Sequence, residues 1–393
     1  MSGRAILLAA GVLAAGALLP VGTATAATAT CDGLTATIVG SGGPDMIVGT
    51  EGDDVIAGLA GGDVIDGLGG DDVICGDDGA DQLRGGPGAD RLLGGLEDSD
   101  PDEHLGGDAL FGGPGNDHLD PGYDSSDHPD RDSLRFGDAP RGVTFDLGDG
   151  VTGTATGLGH DTLVLTGSPL VVGSPHADTF QGSPGRDRIH AAGGSDVIYA
   201  GAGDDDIHPD RGTSDQRSAD VVQTGAGSDI VTAWSGHDRV LLGSGNDQYT
   251  TYGAAGVRVR GQRGNDYLLL TMARGVLARG DRGTDSLVLL TANPDGSRRT
   301  VVVDAASGPV AGFEHYDLGR NAHWDFRGTS GPDDVRVFDT PLTAHTLGGD
   351  DYLEGGSEAD LLDGGAGHDR AVGGRGRDTC IAVERRTSCE VVR

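Results

Sequence analysis

The sequence has no lysine. Its 28 basic residues are all arginine, set against 62 acidic ones, for a formal charge of −34 over 393 residues. That balance argues against a nucleic-acid binder and against a protein that clings to anionic membrane surfaces. Aromatic residues make up only 4%, too few to fill a large core, so bound metal is expected to stand in for part of it. Catalytic signatures are missing as well, since neither H-E-x-x-H nor G-x-S-x-G occurs. The twelve histidines, among them His118, His190, His208, His237 and His368, fall mainly where the pattern tolerates any residue, and read as solvated surface. Long hydrophobic runs are absent beyond the first twenty residues, so no membrane insertion is expected. There an apolar stretch after Arg4 breaks at Leu19-Pro20 and is followed by Ala24-Thr-Ala26, the form of a secretory leader with a small-x-small cleavage site. A secreted, extracellular protein is therefore expected.

What is abundant is glycine, 73 residues of it, and it recurs with a period. Gly49-Thr-Glu-Gly-Asp-Asp54-Val-Ile-Ala is followed by Gly58-Leu-Ala-Gly-Gly-Asp63-Val-Ile-Asp and Gly67-Leu-Gly-Gly-Asp-Asp72-Val-Ile-Cys. With the nine positions numbered from the first glycine, aspartate is fixed at 6 and an aliphatic at 8. Glycine this frequent excludes a helix. Positions 1 to 5 suit a tight turn, and positions 7 to 9 a minimal strand with one side chain directed inward. Turn plus strand is half a coil, so two units close one turn and each residue stacks on the one eighteen further along. Asp54, Asp72 and Asp90 then share one edge, and Asp63 and Asp81 the other. Strands stack at about 4.8 Å, and bare carboxylates at that spacing would repel. A cation must lie between them, and an all-oxygen donor set favours calcium. The expected fold is all-β, a parallel β-solenoid. Without calcium the chain is expected to be disordered.

The pattern resembles the hemolysin-type (repeats-in-toxin) calcium-binding nonapeptide family, which Gly364-Gly-Ala-Gly-His-Asp369-Arg-Ala-Val matches closely. That resemblance implies a parallel β-roll in which position-6 aspartates bind Ca2+ together with turn carbonyls at 1, 3 and 5. The implied metal ligands are Asp45, Asp54, Asp63, Asp72, Asp81, Asp90, Asp108, Asp117, Asp178, Asp187, Asp196, Asp205, Asp229, Asp238, Asp247, Asp351, Asp360, Asp369 and Asp378. Roughly ten calcium ions would cancel most of the negative charge.

Four cysteines is an even number. Pairing Cys31 with Cys75 and Cys380 with Cys389 would staple the two ends of the stack, which have only one neighbour each; four free thiols is the alternative. Along the chain the expected divisions are a leader (1–27), a first array (28–136), a β insert (137–172) and a second array (173–288). A β-rich interruption (289–327), a third array (328–381) and a cap (382–393) follow. Short interruptions at 97–103, 121–126 and 209–214 read as loops from one edge. The second array degrades after Tyr249: residues 251–260 hold no aspartate, and Asp266 and Asp285 lie in units spaced by aliphatic runs, which suggests a roll held there more by packing than by metal.

Two functions fit. One is a secreted calcium-binding structural or interaction protein, not an enzyme, whose protein or surface-polysaccharide partner the sequence does not name. The other is a hydrolase or carbohydrate binder using 289–327, where His315, Tyr316, His323 and Trp324 gather; convergence of those residues on a cleft would favour it.

Overall fold

The computed structural model describes residues 28–96, 107–122, 132–210, 218–234, 236–253, 256–272, 275–291 and 299–392. The expected leader, the acidic interruption at 97–103 and most of the 121–126 and 209–214 loops lie outside them. Every regular element among the described residues is a strand.

The chain coils as a parallel β-solenoid. One face is a ladder of seventeen strands running from Met46–Val48 to Arg385–Thr387. Its ends are open: Met46–Val48 pairs with Val64–Asp66, and Arg385–Thr387 with Arg370–Val372. The opposite face is a fifteen-stranded sheet from Ile38–Val39 to Val310–Ala311, succeeded by a six-stranded sheet that begins at Arg299–Asp304. The register is the one the period dictates: Ile47 lies beside Ile65, Ile65 beside Leu83, and Ile56 beside Ile74. At roughly 4.8 Å per turn the stack is on the order of 75 Å long.

Each three-residue strand has room for one inward side chain, the middle one. Ile56, Ile65, Ile74, Leu83 and Leu92 are at most 1% exposed and belong to one continuous core. Burying each contributes roughly 1.5–3 kcal/mol, which sums along the axis.

Insertions leave this ladder intact, since the strands on either side of them keep their register. Stacked Asp81 and Asp108 are 27 residues apart, one repeat unit more than a normal turn, yet Leu83 still pairs with Leu110. Asp108 with Asp132, and Asp196 with Asp220, are 24 apart, six residues over. Between 137 and 172 the ladder itself changes. Thr144–Asp146, Thr152–Thr156 and His160–Val164 pair antiparallel, after which Phe145 beside Phe180 restores the parallel sense. Bulk fills the wider section there: Phe145 stacks on Phe180 at 4.4 Å, with Phe136 edge-on at 4.9 Å.

Within 289–327, Phe313, Tyr316, Trp324 and Phe326 are at most 2% exposed and fill the core. Trp324 Nε1 donates to the Gly319 carbonyl at 2.8 Å. His315 and His323 are exposed and lie in strands of different sheets. The four residues do not converge on a cleft.

At the start, a small hairpin pairs Thr30–Cys31 with Leu34–Thr35, and a disulfide joins Cys31 to Cys75. At the far end a second disulfide joins Cys380 to Cys389. No free cysteine remains. The terminal segment continues the coil, with Thr379–Ile381 pairing with Val391–Val392.

Candidate metal centre

The nineteen aspartates expected as ligands fall into two columns, one along each edge. Asp45, Asp63, Asp81 and Asp108 precede strands of the long ladder, as do Asp187, Asp205, Asp229, Asp247, Asp351 and Asp369. Asp54, Asp72, Asp90, Asp117, Asp178, Asp196, Asp238, Asp360 and Asp378 precede strands of the opposite face. One contact builds both columns. Along most of each column the backbone N–H of an aspartate donates to Oδ1 of the aspartate one turn later, as from Asp54 to Asp72 at 2.8 Å and from Asp72 to Asp90 at 2.9 Å.

The second carboxylate oxygen separates two kinds of turn. In one kind it accepts the N–H of position 2: Ser41 to Asp45 (2.6 Å), Thr50 to Asp54 (2.7 Å), Ser174 to Asp178 (2.6 Å) and Ser183 to Asp187 (2.7 Å). Thr329 to Asp333 and Gly356 to Asp360 do the same. Hydroxyls of Thr50, Ser174 and Ser183 add a further bond to the same carboxylate. In the other kind, position 2 is left-handed and its N–H turns away. Leu59 (φ 85°), Leu68 (φ 76°), Ala192 (φ 75°) and Gln262 (φ 77°) are examples. Oδ2 of the matching Asp63, Asp72, Asp196 and Asp266 is then buried with no hydrogen-bond partner, as are those of Asp81, Asp90, Asp117, Asp205, Asp229 and Asp247. A buried carboxylate oxygen without a partner is costly, so these are the positions that call for a cation.

The space around them is shaped for one. A Cβ added to Gly49 would lie 2.5 Å from the Gly67 carbonyl oxygen and 3.0 Å from Asp54 Oδ2. Gly58, Gly67, Gly76 and Gly85 have the same two neighbours: their own position-6 carboxylate and the carbonyl of the next turn's first residue. In these turns position 1 is glycine because oxygens converge where a side chain would start, whereas Ala191, Ala200, Ala233 and Leu242 stand there before Asp196, Asp205, Asp238 and Asp247. Carboxylates and carbonyls at such points form an oxygen-only set that suits a hard cation of calcium type.

Electrostatics agree. Burial is the first cause that raises the acids above the ordinary carboxylate value, with neighbouring aspartates adding to it. Asp72 and Asp90 rise to about 6, Asp81, Asp117 and Asp247 to about 7, and Asp196 and Asp205 to about 8. The N–H received from the preceding turn offsets only part of this.

The columns contain more carboxylates than the repeat pattern singles out. Asp132, Asp161, Asp220, Asp266, Asp285 and Asp333 are at most 4% exposed and occupy the same stacked positions. Each precedes an inward apolar residue by two, as in Asp132-Ser-Leu134 and Asp285-Ser-Leu287, which was the signal available. Glutamates take the role where the spacing slips: Asp285, Asp369 and Asp378 donate N–H bonds to Glu314, Glu384 and Glu390 at 2.6–2.7 Å. Beyond Asp238 one column stops, and Val257 and Val276, both buried, stand before the strands Arg258–Arg263 and Leu277–Arg282. The other column runs on through Asp247, Asp266 and Asp285. The thinning after Tyr249 therefore belongs to one edge alone.

The family model for the RTX calcium-binding nonapeptide repeat (four copies) matches residues 39–74, 69–98, 105–122, 172–212, 217–249 and 345–380. Among solved structures, the chain is similar to a hyperactive, Ca2+-dependent, β-helical antifreeze protein from an Antarctic bacterium. The identity is 15%, over 86% of this chain and 83% of that one, with a TM-score of 0.23. No curated protein matches.

Proposed function

We propose, from the premise that the chain is an RTX calcium-binding repeat protein, that it is an exported scaffold which folds when Ca2+ enters the two carboxylate columns. The observation that carries this reading is the repetition of buried, unpartnered Oδ2 atoms turn after turn, beside a glycine cradle in the first array. Calcium would be held by those aspartates and the turn carbonyls, and would supply charge neutralisation between turns. The chain's own part is to present oxygens at fixed spacing and to close a narrow apolar seam once repulsion is relieved. Two disulfides support an oxidising, extracytoplasmic location, as does the leader read in the first residues. We assign the protein no reaction: its role is structural or adhesive.

Circular dichroism of the mature protein tests the reading. With chelator the spectrum should be coil-like, and calcium should restore the β signal. Magnesium, smaller and stricter in geometry, should substitute poorly. A chelated protein that keeps its full β signal sinks the proposal. Peptidase, esterase and glycosidase screens should show no turnover; turnover lost in His315→Ala or His323→Ala would instead favour a hydrolase.

A further inference from the structure

One acidic cluster is not explained by the repeat. Asp210, Asp220 and Asp238 are each at most 1% exposed, and one carboxylate oxygen from each lies within 4.8 Å of the other two. Asp220 and Asp238 belong to a column, with the Asp220 N–H donating to Asp238 Oδ1 at 3.1 Å. Asp210 does not. It sits at position 2 of its unit, just after Pro209, where the six-residue insertion opens, and no periodicity places a carboxylate there. Its Oδ1 accepts the Trp234 N–H at 2.7 Å. The cluster closes one edge, because the next turn carries Val257 in place of an aspartate.

A second observation comes from the opposite sheet. Tyr249 stands at the inward position of Gln248–Thr251, where most turns carry an aliphatic, and is completely buried. Its hydroxyl has no hydrogen-bond partner. The carboxylates of Asp238, Asp210 and Asp220 lie near enough to act on it electrostatically, as does the Thr251 side chain. The comparable Tyr316 differs, since its hydroxyl accepts the Phe313 N–H at 3.3 Å. Tyr249 thus directs an unpartnered phenol toward three carboxylates, two of which keep an unpartnered Oδ2 of their own.

We propose that Asp210, joining the column members Asp220 and Asp238 and faced by the Tyr249 hydroxyl, completes a cation site at the end of that column richer in side-chain charge than the repeat turns. The proposal rests on the reading that the columns hold calcium. One oxygen from each carboxylate lies close enough to the other two to share a single cation, and an all-oxygen set of this kind suits a hard ion such as calcium. Three carboxylates also favour a trivalent ion of similar size, which supplies the probe.

The chain has two tryptophans, and Trp234 bonds directly to Asp210. Terbium titrated into calcium-depleted mature protein should give emission sensitised by Trp234, saturating ahead of the weaker sites. With excitation confined to tryptophan, so that Tyr249 does not sensitise the ion, Trp234→Phe should remove that phase and Trp324→Phe should keep it. Asp210→Asn should weaken it at least tenfold, and Tyr249→Phe to a smaller degree. An Asp210→Asn titration that superimposes on the wild type overturns the proposal. Calcium-induced β signal, recorded on the same samples, reports the column reading separately. If Asp210→Asn does not fold, anomalous scattering from terbium-soaked wild-type crystals decides. A peak among the three carboxylates is expected, and density without one overturns the site.

Discussion

In the glycine turns of the first array, a single added carbon at position 1 would meet the oxygens meant for the ion. Gly67 lies against Asp72 Oδ2 and the Gly85 carbonyl oxygen, so Gly67→Ala must displace the carboxylate or part the turns. It should cost roughly 1–3 kcal/mol by overpacking and remove about one calcium, seen as a lower melting temperature in calcium and a reduced calorimetric stoichiometry. The adjacent residue predicts the opposite. Leu68 is held at φ 76°, a conformation that costs an L-residue about 1–2 kcal/mol. Leu68→Gly should therefore leave calcium binding intact, with a melting temperature unchanged or raised. A fall as large as that of Gly67→Ala would show that the Leu68 side chain, not its backbone, matters there.

At the scale of the turn, the bonded and unbonded carboxylates are not scattered. Asp45 and Asp54 open the two columns, Asp178 and Asp187 reopen them after the 137–172 insert, and Asp333 and Asp360 lead the last stretch. A leading turn has no aspartate turn stacked before it to share an ion with, and its own position-2 N–H does what metal would do elsewhere, joined by a hydroxyl at Asp54, Asp178, Asp187 and Asp333. Ser183→Ala, which removes bonds to Asp187 Oδ1 and from the Gly185 N–H, should cost about 1 kcal/mol in thermal unfolding without changing the number of calcium ions bound. Asp72→Ala should act differently, losing the sites shared with Asp54 and Asp90 and sparing those of Asp360 and Asp369, because coupling passes only between neighbouring turns. Much of this was legible in the sequence. Fixed Gly, Asp and aliphatic positions led to the eighteen-residue stack, the edge assignment of Asp54, Asp72 and Asp90, and the cysteine pairs. The antiparallel detour through Phe145 was not, since strand sense depends on pairing partners rather than on local pattern. Asp266 and Asp285 were legible as repeat units but not as ligands, because their turns span 19 residues and break the eighteen-residue period. Glu314 and Glu384 escaped because a longer side chain reaches the column from a slipped register.

For the whole molecule, the raised carboxylates make an explicit pH prediction. Asp ionises near 3.9 in an unfolded chain, and here the ion-free fold lifts many to about 6–8. A group raised on folding contributes stability that is complete below its unfolded value and lost as pH climbs through its folded one. Chelated protein should therefore gain β signal as pH falls from about 8 toward 4, the reverse of ordinary acid unfolding. Calcium affinity should weaken over the same range as protons compete. A chelated spectrum that is flat across that window would mean that the carboxylates are hydrated in the ion-free state. The insertions carry a different consequence. The ladder passes undisturbed over stacked separations of 18, 24 and 27 residues, so the axial repeat tolerates changes of chain length as long as each strand finds its neighbour. Length is therefore a heritable variable of this architecture. Gene segments encoding whole coils can be duplicated or lost, and each such event lengthens or shortens the rod by one step while its cross-section stays the same.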